Sequence, residues 1–184
     1  KANCTPTCAW YDSQGGIYSA PGLDPHRIAA RKNRGGSVRD AQHLSRDDAT
    51  IITNETLLGC DCDVLVPAAL DNVITAKNAK KIKANIILEL ANGAVSPEAD
   101  DILRKRGAIV VPDVLANAGG VTVSYFEWVQ GRSGNAWTAE RVDEDLKRYM
   151  LAAFDDVRSH AKRKNLSLRE AAFDIAVGRI VGAM

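Results

Sequence analysis

Apolar positions come in short, β-branched bursts through the first two thirds of the chain and switch to helical spacing over the last fifty residues. Residues 8–12, 63–66, 85–89 and 108–112 read as strands, with 63–66 and 108–112 expected to be buried. Gly15-Gly16 predicts a turn after the first strand. Asp24 followed by Pro25 predicts a capped helix that stops near Gly35-Gly36, and a charge-rich loop then runs to about Thr50. Thr53 or Asn54 can cap a short turn through Leu58, and residues 76–83 read as a short basic helix. Ser96-Pro97-Glu98 opens a helix ending at Gly107, with Ser96 as the cap. After Gly119-Gly120, Val121, Ser124, Tyr125 and Trp128 recur at i, i+3, i+4 and i+7, which puts them on one face of a helix. Val142, Leu146, Met150, Phe154, Val157 and Ala161 form a helical stripe from a cap at Thr138. A last helix starts at Ser167, whose S-x-x-E spacing to Glu170 is a capping box, with Leu168, Ala172, Ile175, Val177 and Ile180 as its stripe.

Strands alternating with short helices predict an α/β fold with a mostly parallel, Rossmann-type sheet. The change of pattern divides the chain into a dinucleotide-binding body over 1–135 and a helical pair packed on it over 136–184. No repeat or low-complexity tract interrupts this plan.

At 184 residues the chain can bury a sizeable core. Its net charge of +1, from 24 basic and 23 acidic residues, argues against an electrostatic nucleic-acid binder. Its apolar runs are too short to span a bilayer, and no signal-peptide layout is present, so a cytoplasmic location is expected, or the mitochondrial matrix in a eukaryote. Cys4, Cys8, Cys60 and Cys62 form C-x-x-x-C and C-x-C pairs, neither of them the usual zinc knuckle, and are expected to be ordinary reduced thiols.

Candidate chemistry gathers where strands end. Asp12, with Ser13 beside it, ends a strand, where a carboxylate can accept from ribose hydroxyls or serve as a plain turn residue. Ala68 and Ala69 follow the strand 63–66, and their small side chains suit either a flat ligand or close helix packing. Asn92 and Asn117 each follow a strand and precede glycine or Ala-Gly, so two amides can offer a donor and an acceptor to one ligand. Val121 and Ser124 lie one turn apart near a helix N-terminus, where a carboxylate is favoured; Ser124 could instead bond back to a helix carbonyl. His26, His43 and His160 belong to no constellation, and the basic cluster from Arg27 to Arg39 reads as a solvated helix face.

The string NAGGVTVSYFEW over 117–128 resembles the signature of hexameric glutamate dehydrogenases. DSQGGIY over 12–18, PAALDNVIT over 67–75, the stretch AAFDDV and residues 167–184 are similar to the same family. The resemblance implies NAD or NADP as cofactor, with Asp12 weighing against a 2′-phosphate. It implies the alanines along the dinucleotide, Asn92 at the nicotinamide ribose and Asn117 at the nicotinamide. Val121 and Ser124 would meet the side chain of L-glutamate or 2-oxoglutarate, in a homo-oligomer, a hexamer by resemblance. Leucine and phenylalanine dehydrogenases share NAGG but not the SYFEW continuation, which favours glutamate. The chain departs from the family in lacking a G-x-G-x-x-G turn and in starting just before the fold's second strand. The substrate domain that carries the family's catalytic lysine and aspartate is absent as well, so no catalytic residue is expected in this chain. Leu90 stands where glycine is expected, and Ala94-Val95 where Pro-Thr is expected. The alternative to an enzyme portion is a truncated, non-catalytic paralogue acting as an assembly or nucleotide-binding module.

Overall fold

The computed structural model describes residues 7–44 and 49–184, with side chains throughout except at residues 42–44. Cys4, the side chain of His43 and part of the charge-rich loop therefore lie outside the described residues. Two compact units are present: Lys1–Asp63 with Lys81–Ala84, and Val64–Lys80 with Asn85–Met184.

In the first unit β1 (Thr7–Asp12), β2 (Gly15–Leu23) and β3 (Thr50–Ile52) form an antiparallel sheet in the order β1-β2-β3. This corrects the expectation that the first strand joins the parallel sheet: among the described residues it pairs with β2. Gly15 and Gly16 are not the turn. They open β2, facing Asp12 and Tyr11, and the turn is Ser13-Gln14. A Cβ on Gly16 would stand 2.7 Å from the Trp10 carbonyl, so the second glycine lets the strands approach. The long strand β2 was hidden by Pro21 and Gly22, which read as breakers although Ile17, Ser19 and Leu23 point into the core. Helix α1 (Pro25–Asn33) is capped by Asp24, whose side chain accepts from the His26 and Arg27 amides, and Ile28 is its buried anchor. A 3-10 turn (Arg39–Leu44) and helix α2 (Asn54–Leu58), capped by Thr53, complete the unit. Ile17, Leu23, Ile28, Val38, Ala41 and Ala49 form its core.

The second unit carries the parallel sheet: β4 (Val64–Leu65), β5 (Ile86–Leu88) and β6 (Ile109–Val111), in that order. Register places Leu65, Ile87 and Val110 side by side on the buried face and Val64, Ile86 and Ile109 on the other. The second set is 42%, 37% and 53% exposed, so these strands are buried on one face only, not on both as the apolar runs suggested. Between β4 and β5 the expected basic helix shrinks to one 3-10 turn, Ala79–Lys81. Asn78 explains this: its side chain accepts from the Thr75 amide at 2.8 Å and donates to the Val73 carbonyl at 2.8 Å, replacing helical partners.

Helix α3 (Pro97–Lys105), capped by Ser96, buries Ala99 and Leu103. After β6 a one-turn helix α4 (Asp113–Ala116) intervenes before α5 (Gly119–Ser133), where a direct strand-to-helix handover was expected. On α5 the face carrying Val121, Ser124, Tyr125 and Trp128 is the exposed one, and Phe126 is the core contact, packed on the rings of Trp137 and Tyr149. Helix α6 (Ala139–Lys164) buries Val157 and Ala161 against Leu115 and against Ala171 of α7 (Leu168–Gly182). The α7 stripe holds at Leu168, Ala172 and Ile175 but runs out to solvent at Val177 and Ile180. No helix among the described residues is long and apolar enough to cross a membrane.

Candidate functional site

The carboxyl ends of the three parallel strands feed one cleft in the second unit. Strand β4 continues into Pro67-Ala-Ala-Leu70, β5 into the loop 89–93, and β6 into α4 and Asn117. The cleft has a volume of about 660 Å³, within the range of small-molecule sites, and is lined by Ala69, Leu70, Asp71, Leu90, Ala91, Asn92, Asn117 and Val121. Open α/β sheets bind ligands at this edge.

Two asparagines set its polar character. Asn117 Nδ2 donates to Asn92 Oδ1 at 2.7 Å and to the Leu90 carbonyl at 3.3 Å. Asn92 Nδ2 and Asn117 Oδ1 are left as a donor and an acceptor with no partner among the described residues. The loop under them is tied on both sides of Asn92. The Leu90 and Ala91 amides both donate to the Pro67 carbonyl at 3.0 Å. Gly93, at φ +58°, donates its amide to Asp113 Oδ2 at 2.8 Å and accepts from the Asn72 amide at 2.8 Å.

This arrangement has relatives. The chain matches the Glutamate/Leucine/Phenylalanine/Valine dehydrogenase family over residues 4–184. It belongs to that family. It is 46% identical over 172 residues to a glutamate dehydrogenase of Thermotoga maritima, covering 94% of this chain and 40% of the relative. It is 45% identical over 173 residues to the NADP-specific glutamate dehydrogenase A1 of Halobacterium salinarum, with the same coverage of each. The fold superposes on the hetero-hexameric glutamate dehydrogenase of Thermus thermophilus, in its Leu-bound form, with a TM-score of 0.85 at 32% identity, over 97% of this chain and 41% of that one. The chain thus spans about two fifths of the length of the relatives it matches.

Within this dehydrogenase-family chain, Ala69, Asn92, Asn117 and Val121 come together in the cleft. Ala68 is exposed beside it without lining it. Ser124 lies one turn beyond Val121, exposed, and its hydroxyl makes no hydrogen bond among the described residues; the back-bond to a helix carbonyl is made instead by Thr122, to Ala118 at 2.8 Å. Leu90 lines the cleft with 43% of its surface exposed.

Asp12 and Ser13 belong to the first unit. The Asp12 carboxylate accepts from Lys32 Nζ at 2.8 Å, the Val38 amide at 2.9 Å, the Gln14 amide at 3.0 Å and Ser37 Oγ at 3.2 Å. Burial alone would raise its pKa, but the Lys32, Val38 and Gln14 bonds outweigh that and lower it from 3.8 to about 2. Ser13 is exposed in the turn.

The basic cluster is partly paired: Lys32 is held by Asp12, and Arg31 meets Asp40 at 3.4 Å. His160 is not isolated either, since its Nε2 meets Asp174 at 2.7 Å and joins α6 to α7. Cys8, Cys60 and Cys62 are free thiols; burial, and then the Cys8 thiol nearby, raise the pKa of Cys60 and Cys62. Among the described residues no group of three or more His, Cys, Asp or Glu is arranged to hold a metal ion.

What sequence reasoning missed lies under the cleft. Glu89 is fully buried at the end of β5, and its Oε1 accepts from the Val95 amide at 2.7 Å. Its Oε2 accepts from the Asp113 amide at 3.2 Å and from Arg169 of α7. Arg169 also reaches Asp100 Oδ2 with Nε at 2.9 Å and Asp113 Oδ1 with Nη1 at 3.4 Å. The available signal was a carboxylate ending an otherwise apolar strand, a residue type almost never buried unpaired.

Proposed function

We propose that this chain is the cofactor-domain portion of a glutamate dehydrogenase, whose complete form oxidatively deaminates L-glutamate to 2-oxoglutarate and ammonia with NAD or NADP. The observation that carries this reading is the Asn92–Asn117 pair in a cleft at the strand ends, with one free donor and one free acceptor. A carboxamide NH₂ can donate to the acceptor on Asn117 and a ribose hydroxyl can accept from the donor on Asn92, so the residues present fit the nicotinamide end of a dinucleotide. The glycine-rich turn that would hold the pyrophosphate is not among this chain's residues.

The bound cofactor supplies the hydride acceptor. Asn117 fixes the nicotinamide carboxamide, and Asn92 meets its ribose. Ala69 leaves room for the ring, with Ala68 alongside, and Val121 closes the apolar side. Ser124, whose hydroxyl is free, offers a hydrogen bond to the side-chain carboxylate of glutamate, while Val121 packs on its methylenes. Hydride transfer needs carbon and ring in contact, so orientation and exclusion of water are this portion's contribution. Acid–base chemistry falls to residues outside the chain, and the 184 residues alone are inactive in this reading. Asp12 would have to give up one of its four internal bonds to accept a ribose hydroxyl, whereas Ser13 is open to do so. Assembly into a homo-oligomer, a hexamer, completes the proposal.

Reduced nicotinamide mononucleotide, which lacks the adenosine half, tests the cleft by calorimetry. Binding that Asn92→Ala and Asn117→Ala each weaken about tenfold supports the reading, since each removes one hydrogen bond to a polar ligand group. One observation favours the second reading, a non-catalytic assembly or nucleotide-binding module: the Leu90 side chain stands in the cleft. No binding at millimolar ligand, in a folded chain, would favour the assembly module and reject the enzyme portion.

A further inference from the structure

We propose that Arg169 is a positioning residue for the cleft: from helix α7 it sets the register of the Asn92–Asn117 pair through Glu89 and Asp113. Arg169 does not line the cleft itself. Its three nitrogens each meet a different carboxylate, those of Glu89, Asp100 and Asp113. The two it shares with the cleft loop are occupied in a definite way. Glu89 closes the loop on itself by accepting from the Val95 amide, and it accepts from the Asp113 amide as well. Asp113 in turn accepts from the amide of Gly93, the residue after Asn92, at 2.8 Å. A chain of direct bonds therefore runs from α7 to the turn that aims Asn92, and Asn117 is bonded to Asn92.

Charge makes the guanidinium the keystone of that chain. Three carboxylates share one cation, and their side chains are 0%, 13% and 15% exposed. Removing the cation leaves three largely buried carboxylates without the charge that holds them together. A lysine keeps the charge but offers one nitrogen where arginine offers a planar fork to three partners. Substitution at Arg169 is thus transmitted to Gly93, one hydrogen-bonded step beyond Asp113, and from that turn to the asparagine pair.

The functional consequence rests on the cofactor reading of the cleft; the positioning role is read without it. Amide NMR of the ¹⁵N-labelled full chain follows the Gly93 backbone signal and the Asn117 side-chain NH₂. In Arg169→Met we expect Gly93 to exchange about tenfold faster or more and the Asn117 signals to move toward a free amide, with α6 unchanged. Arg169→Lys should give an intermediate response, and it decides the matter if the methionine variant does not fold. Arg179→Met, which removes the exposed α7–α6 ion pair to Asp156, should leave both signals in place. Wild-type Gly93 and Asn117 signals in the folded Arg169 variants would overturn the proposal, and so would an equal response to Arg179→Met. Titration of the same samples with reduced nicotinamide mononucleotide separates the two claims. A wild-type chain that binds none rejects the cofactor reading, while the Gly93 and Asn117 signals still decide the role of Arg169.

Discussion

Replacing Asp12 with asparagine separates two roles for one carboxylate. As a clamp, Asp12 joins the end of β1 to α1 through Lys32 and to the following loop through Ser37 and Val38. A pKa held at about 2 rather than 3.8 corresponds to about 2 kcal/mol of folding stability at neutral pH. The side chain is 13% exposed but lies just beneath the surface, where solvent still screens charge, so that figure is a ceiling. The sign follows from the depressed pKa: the contribution is complete above about 3.8 and is lost as pH falls through about 2. Asparagine keeps one acceptor oxygen but turns an NH₂ toward donors, so the expected loss at pH 7 is about 1–2 kcal/mol.

Trp10 on β1 reports this unit in a background where Trp128 and Trp137 are phenylalanine. Urea slopes for a unit this small are about 1 kcal/mol/M, so the midpoint should fall by about 1–2 M at pH 7. The gap between wild type and Asp12→Asn should close as pH drops from 4 toward 2. A gap that stays constant over that range would refute the clamp argument. An unchanged midpoint together with weaker binding of ADP-ribose would refute it in favour of a ribose ligand.

Two further outcomes follow from local geometry. Ser167→Ala removes the capping box of α7, in which Ser167 Oγ accepts from the Glu170 amide at 3.1 Å and Glu170 accepts from the Ser167 amide at 2.7 Å. The expected cost is about 1 kcal/mol, or a drop of about 2–4 °C in the thermal midpoint by calorimetry, and no drop would mean that α7 is held by packing alone. Leu90→Gly should lower stability by about 1–2 kcal/mol, since roughly half of the leucine is buried and glycine adds backbone entropy, yet tighten binding of reduced nicotinamide mononucleotide. Unchanged or weaker binding would show that Leu90 does not crowd the cleft.

Helix starts were legible because capping is decided within four residues. Asp24, Thr53, Ser96, Thr138 and Ser167 all accept the amide bonds their positions imply. The α6 stripe was legible for a similar reason, as a 26-residue helix repeats its pattern often enough to be read. Strand partners were not. Nothing local says that residues 8–12 turn back on 15–23 rather than join the strands at 64, 86 and 109, and a two-residue turn at Ser13-Gln14 lacks the usual glycine inside it. The cleft was half legible. Asn92 and Asn117 announce themselves as polar residues at strand ends, but Glu89 meets a partner eighty residues away, and no window of sequence contains both.

The glycine pair at 119–120 argues in another direction. Both residues lie in the first turn of α5, neither has a positive φ, and the fold does not crowd them. A Cβ on Gly119 would meet Leu146 Cδ1 at 3.9 Å, an ordinary contact, and one on Gly120 would meet nothing within 4 Å. Alanine at either place would favour a helix interior by about 0.5–1 kcal/mol, less in a first turn. The protein's own backbone therefore gives no reason for glycine at either position, in contrast to Gly16 and Gly93, where close approach and a positive φ do. Val121, the next residue, lines the cleft. Glycines that forgo helix stability beside a cleft, where no neighbour requires them, are accounted for if a ligand comes close to the start of α5, and that is where the proposed reading puts the substrate.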